Sequence, residues 1–584
     1  MLKLSVILLC GLLYVDAAMS RNQTSSDPPE VTTPLGKVKG SLMETRLGKT
    51  IYAFRGIRYG EPPIGQLRFK QAEPVKSWEG TFDASKEGPS CGWLESKLQS
   101  EDCLRLNVYT TKLGDHSLKT PVIVFFHPGG FYGFSGQSYL FGPQYLLDEE
   151  VVLVTTNYRL GAIGFTATGD AEFPGNLGLK DQVQALRWVQ QNIAAFNGDP
   201  ECVTIVGYSA GSWSVALHML SPMSRGLFHR AVAMSGSPTK GEQLQHQQLD
   251  LAKKQARLVG CPSESTRIMR ECFEKVPADK MAATVRNMTD WGWDPIRFWS
   301  AVVEPDIPGL ERFIVEQPVD SIRCGNFYSV PFMSGSTLDE FGGQALVPVV
   351  AARHGNNSVF DDLNANWDHI APIAFQFQRN SSRSKRISDE LRDFYFKNET
   401  IGLQNWQALA HLYGDAIVSF PIHRIVDLVS RYSDQPVYYY HFVYPGRYSW
   451  HVWSDTKKPF GVVHHDDLMY LFYMQRYFPY FNETAPEIPT VEHITAMWAS
   501  FAKTGNPIPK DNPLFKDVTW EPFQPETGQY LEINSTLTMK FNLNAERMEA
   551  FERIFPLEEA NFSLSSQNFL PFAGSWTPDD RPYS

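Results

Sequence analysis

The 584-residue sequence predicts an α/β fold, a central and mostly parallel β-sheet flanked by helices within a single large domain. Three observations predict it. Short apolar runs, Pro121 to Phe126, Val151 to Thr155, Val203 to Val206, Ala231 to Met234, Val330 to Met333 and Val437 to Val443, recur between longer helix-compatible stretches, and alternation of that kind builds parallel sheets covered by helices. The stretch from Asp181 to Phe196 carries Val183, Leu186, Val189, Ile193 and Ala194 at helical spacing, which predicts a helix ending near Asn197-Gly198-Asp199-Pro200. Hydrophobic residues make up 43% of the chain and charged residues 20%, a globular composition, and no linker, charge block or repeat divides it.

The ends read differently from the middle. Residues 1–17 have the layout of a secretory signal peptide: an early Lys3, an apolar core from Leu4 to Val15, and small residues at Ala17 and Ala18. A polar segment (18–30), the folded domain (31–556) and a C-terminal tail (557–584) follow. The apolar core is short for a bilayer span, so the mature protein is expected to be secreted and extracellular, with no membrane span. Eight Asn-x-Ser/Thr sequons, at Asn22, Asn287, Asn356, Asn380, Asn398, Asn482, Asn534 and Asn561, are candidate glycosylation sites on that route. Outside the leader there are six cysteines, Cys91, Cys103, Cys202, Cys261, Cys272 and Cys324, for which an oxidising compartment makes disulfides expected. Cys202 opens an apolar strand, where a buried free thiol is expected, and Cys324 has no obvious partner.

A net charge of −11 argues against nucleic acid or an anionic membrane as partner, because both are bound by clustered Lys and Arg. No metal or other cofactor is expected. His464, His465, Asp466 and Asp467 form a run of metal-capable side chains, but no second ligand cluster accompanies it.

The chemistry-bearing signal is Gly207-Tyr208-Ser209-Ala210-Gly211. It follows the run Val203 to Val206 and precedes a helix expected to run from Ser209 toward Leu220, the strand-turn-helix setting of a nucleophile elbow. Upstream, Phe126-His127-Pro128-Gly129-Gly130-Phe131 follows another strand-like run. Its glycine amides could approach a carbonyl oxygen closely as charge develops there. Pro128 has no N–H to give, so the candidate oxyanion donors are Gly129, Gly130 and Ala210. A serine hydroxyl needs a base and an orienting carboxylate. Asp339 or Glu340, just past the strand-like run ending at Met333, could supply the acid, and His464 or His465 the base.

The elbow, together with Glu101 to Tyr109, Asn157 to Gly161 and Gly175 to Gln182, resembles the type-B carboxylesterase family over residues 31–556. The resemblance implies an α/β-hydrolase fold, a Ser209, Glu340 and His464 triad, and disulfides Cys91–Cys103 and Cys261–Cys272. It also implies ion pairs Arg68–Glu101 and Arg159–Asp181. His465 stands where the family usually has glycine or alanine and is expected on the rim, with Asp466 and Asp467 bracing the loop and His127 shaping the glycine loop. Cholinesterase-like members carry glutamate, and juvenile-hormone esterases glutamine, where this chain has Tyr208. The resemblance is closer to secreted insect esterases acting on small apolar esters, with Phe131, Tyr132, Phe134 and Trp213 as candidate gorge residues. The alternative is a catalytically slow or silent member that sequesters ligands or acts in adhesion. Oligomeric state is not legible.

Overall fold

The computed structural model describes residues 28–92, 98–114 and 119–557. The expected signal peptide, Asn22, Asn561 and nearly all of the C-terminal tail lie outside these residues. Eleven strands form one sheet: β1 (Ser41–Glu44), β2 (Thr50–Arg58), β3 (Arg105–Thr110), β4 (Thr120–Phe126), β5 (Val152–Thr156), β6 (Gly198–Tyr208), β7 (Arg230–Met234), β8 (Phe332–Thr337), β9 (Val437–Phe442), β10 (Gln529–Ile533) and β11 (Leu537–Phe541). Their spatial order is β11-β10-β9-β8-β7-β6-β4-β5-β3-β2-β1. From β10 to β5 every neighbouring pair is parallel, whereas β11 on one side and β3, β2 and β1 on the other pair antiparallel.

The central strands are apolar without alternation because both of their faces are covered. Successive side chains of a strand point to opposite faces. Val122, Val124 and Phe126 of β4 accordingly join Val203 and Ile205 of β6 in one core cluster, and Ile123 and Phe125 join Val206 and Tyr208 in another. Helices α1 (Leu177–Asn192) and α2 (Ala210–Leu220) cover the first face. On the second face lies α3 (Ile488–Thr504), through Val491, Ile494, Met497, Trp498 and Phe501.

The expected elements are present with shifted ends. Helix α1 starts earlier than Asp181, after Asn176 in a left-handed conformation (φ 56°), and its expected last turn is a separate 3₁₀ segment at Ile193–Phe196. The β6 strand extends back through the polar Asp199-Pro200-Glu201 to Gly198, which pairs with Thr120. Both expected disulfides are formed. Cys202 and Cys324 are free. Contrary to the expectation of a buried thiol, Cys202 is only half-buried, its sulfur 3.3 Å from Arg230 Nη1.

Both expected ion pairs are made. Arg68 grips Glu101 through two nitrogens at 2.6 and 2.7 Å. Arg159 meets Asp181 through Nε and Nη2 at 2.7 and 2.6 Å, with both side chains buried, and Arg159 Nη1 donates to the carbonyls of Arg68 and Lys70. Arg159→Met leaves the Asp181 carboxylate buried without its counter-ion and strands those two carbonyls. Loss of about 3–5 kcal/mol of stability is expected, read from the urea midpoint at constant slope.

Among the described residues no helix is long and apolar enough to cross a membrane. Asn287, Asn356, Asn380, Asn398 and Asn482 are exposed and Asn534 is half-buried.

Candidate active site

Parallel strands end at the same edge of a sheet, so the loops that follow β4, β6, β7, β8 and β9 emerge side by side. The sequence places Gly129 and Gly130 after β4, Ser209 after β6, Ser235 after β7 and Glu340 after β8, in consecutive positions across the sheet.

Ser209 occupies φ 55° and ψ −114°, a conformation that costs an L-residue energy and persists only where the surroundings impose it. The flanking glycines permit the turn. A Cβ on Gly207 would lie 2.1 Å from the Gly211 carbonyl oxygen, and one on Gly211 would lie 2.0 Å from that of Phe126. The second of these approaches also sets the nucleophile turn against the glycine loop. Ser209 sits just before α2, which starts at Ala210 rather than at the serine as expected. From Val203 to Leu220 every residue is buried except Ser209.

The glycine loop turns through Gly129 (φ 117°) and Gly130 (φ 60°), both partly exposed. His127 is fully buried below it, its Nδ1 2.7 Å from the Pro128 carbonyl and its ring stacked on Tyr158 at 4.4 Å. Tyr158 Oη donates to the His127 carbonyl at 2.8 Å. Burial holds the imidazole down at about 4, so His127 is a neutral strut of the loop.

The two adjacent acids part company. Glu340 Oε2 is 2.6 Å from His464 Nδ1, while its Oε1 accepts from Ser235 Oγ and Thr337 N, each at 2.7 Å. Asp339 Oδ2 accepts from Val462 N at 2.9 Å, and Asp339 N donates to the Val462 carbonyl. Glu340 therefore holds the histidine ring, and Asp339 holds the histidine loop. Burial pushes the Glu340 carboxyl up, against the pull of the Ser235 and Thr337 hydrogen bonds, and pushes the His464 imidazole down. With Nδ1–H directed at Glu340, His464 Nε2 is left as a buried acceptor without a hydrogen-bond partner among the described residues. No hydrogen bond joins it to Ser209 Oγ; such contacts commonly tighten only when substrate binds. The Tyr208 ring, on the residue preceding Ser209, stands 5.2 Å from the His464 ring.

His465 differs from the rim residue expected. Its backbone is left-handed (φ 80°), as a position usually held by glycine requires. It is half-buried, with its ring 4.9 to 5.8 Å from those of Tyr208, Trp450 and Phe134. Asp466 braces the loop, accepting from Ser449 Oγ, Trp450 N and Val463 N. Asp467 accepts from Tyr440 Oη at 3.4 Å.

Two roles went unread in the sequence. Tyr208 does not face a ligand: it is fully buried, and its hydroxyl accepts from His465 N at 2.8 Å. Ser235, at φ 57° after β7, positions the Glu340 carboxylate; its signal was the Ser235-Gly236-Ser237 triplet directly after an apolar run. Of the candidate gorge residues, Phe131 is core, packed on Phe165 at 4.6 Å. Tyr132 and Phe134 are partly exposed and Trp213 borders a cavity. Among the described residues no group of three or more His, Cys, Asp or Glu is arranged to hold a metal ion.

A strained serine turn, a glycine loop and a carboxylate-held histidine stand at one sheet edge, and residues 27–551 match the carboxylesterase family. The chain belongs to that family. It is 34% identical to juvenile hormone esterase of Tribolium castaneum over 90% of this chain and 92% of that one. Against esterase E4 of Myzus persicae it is 33% identical, over 91% and 99% of the two chains. The crystal structure of juvenile hormone esterase from Manduca sexta with OTFP covalently attached superposes with a TM-score of 0.79 at 25% identity, covering 91% of this chain and all of that one. This carboxylesterase relative thus has the α/β-hydrolase fold and is a carboxylic-ester hydrolase.

Proposed function

We propose that the chain cleaves esters through an acyl-enzyme on Ser209, with His464 as the base and Glu340 as the acid that orients it. One observation carries the reading: His464 is fixed through Nδ1 by Glu340 at 2.6 Å and keeps a buried, unpartnered Nε2 beside the turn on which Ser209 alone is accessible.

The cycle follows from those groups. Ser209 Oγ attacks the ester carbonyl as its proton passes to His464 Nε2, and Glu340 stabilises the imidazolium that results. The oxyanion is received by the N–H groups of Gly129, Gly130 and Ala210, none of which is taken by another hydrogen bond among the described residues. Collapse expels the alkoxide, protonated by His464, and water activated by the same imidazole then releases the acid. Covalent attachment of OTFP to the Manduca sexta relative fits a covalent mechanism.

Phe341 lies 4.2 Å from the His464 ring, and Trp450 and Phe134 stand beside the adjacent His465; these aromatic surroundings support esters that are apolar around the reacting bond. Export rests on the apolar leader, two disulfides and the exposed sequons; the mature domain spans 31–556.

Diethyl p-nitrophenyl phosphate tests the assignment. Attack by Ser209 Oγ on phosphorus forms the serine–phosphate bond and expels p-nitrophenolate. One equivalent per chain is expected, with parallel loss of esterase activity and the diethylphosphoryl group on the Ser209 peptide by mass spectrometry. A label on any other residue, or loss of activity with Ser209 unmodified, refutes it.

A further inference from the structure

Beside the candidate site lies a cavity of about 870 Å³ whose wall includes Trp213, Lys240, Arg297 and Phe298. Two contacts join it to that site. Trp213, on the first turn of α2, donates its backbone N–H to the Ser209 carbonyl at 3.0 Å. Phe298 lies 5.4 Å from the ring of Tyr132, whose N–H bonds the Gly129 carbonyl.

The charge of the cavity is one-sided. Of the carboxylates on its border, Asp290 is taken by Lys254 and Arg379 at 2.8 and 2.7 Å, Glu242 is taken by Arg383, and Asp250 is exposed. Lys240 and Arg297 remain without a carboxylate. Lys240 Nζ donates to the Gln376 carbonyl at 3.0 Å. The Arg297 guanidinium lies 3.8 Å from the centre of the Trp213 ring and makes no hydrogen bond or ion pair among the described residues. A guanidinium carries five N–H donors, and two half-buried cations near one another are unfavourable until an anion joins them. Burial and the neighbouring Arg297 hold the Lys240 ammonium down at about 7, and burial alone lowers Arg297 to about 10.

We propose that this cavity is a subsite for a carboxylate at the far end of the acyl chain, received by Arg297 and Lys240, so that the preferred substrate is a monoester of a dicarboxylic acid. The inference rests on the reading of Ser209 given above. As the acid that protonates the leaving alkoxide, His464 keeps the alcohol on its own side, next to Phe341. Phe341 does not border the cavity, which leaves it to the acyl part. The spacer passes the edge of Trp213, one helical turn from Ser209, and is about four to six carbons long.

Calorimetric titration of the Ser209→Ala protein with monomethyl adipate and with dimethyl adipate tests this. The monoester is expected to bind at least about tenfold more tightly, with the margin shrinking in 1 M NaCl. Arg297→Met in that background, and separately Lys240→Met, should bring the two esters to within about twofold. No preference for the monoester, including no binding of either ester, overturns the proposal, as does a preference that survives both substitutions. Hydrolysis of dimethyl adipate by the unaltered enzyme is followed in parallel; its absence would count against Ser209 as the nucleophile whatever the titration gives.

Discussion

Ser209→Ala is expected to fold as the unaltered chain does and to lose kcat by roughly 10⁴–10⁶-fold. The structural side of this expectation comes from the turn itself. The serine side chain makes no capping hydrogen bond to α2, and the close approaches that fix the turn belong to Gly207 and Gly211. Alanine inherits the same strained backbone and loses only the hydroxyl, so a stability change within about 1 kcal/mol is expected. On the chemical side, the glycine amides would still polarise a bound ester and His464 could still accept a proton from water, but no acyl-enzyme could form. Thermal melts and single-turnover assays with p-nitrophenyl butyrate check both halves. Turnover within tenfold of the starting enzyme would place the nucleophile elsewhere.

The second large effect separates two neighbouring acids. Glu340→Gln removes the charge that stabilises the His464 imidazolium and fixes its tautomer, and a fall in kcat of roughly 10³–10⁴-fold is expected. Asp339→Asn keeps a side-chain oxygen for Val462 N, so a change within about tenfold is expected, expressed more in stability than in kcat. A large loss from Asp339→Asn with Glu340→Gln near normal would reverse the roles given to these residues.

The sequence made the central architecture readable because burial on both faces leaves its parallel strands nearly free of polar residues, and six of these runs were visible. It was silent on the ends of elements. β6 continues through Asp199-Pro200-Glu201 because Gly198 has a partner in Thr120, a pairing that local polarity conceals. The pair Asp339 and Glu340 was ambiguous for the same kind of reason. Both follow the tip of β8, and only the arrival of the His464 loop from more than a hundred residues away gives one of them the imidazole and the other an amide. His465 looked like a rim residue because nothing nearby in sequence announces that Tyr208, Phe134 and Trp450 surround it. The role of Tyr208 was not legible either: its place beside Ser209 gives no sign that its hydroxyl is spent on the backbone of the histidine loop.

The pairing of the strands works as a ruler for the chemistry. Phe126 sits level with Gly207, Tyr208 with Met234, and Met234 with Gly335. Sliding one of these neighbours by a single residue would displace its loop by about 3.3 Å and turn its side chains to the wrong face. The spacing between Ser209, the glycine amides and the Glu340 carboxylate is therefore inherited from the ladder beneath them. A slip deep in the ladder is expected to abolish activity without touching any of those groups.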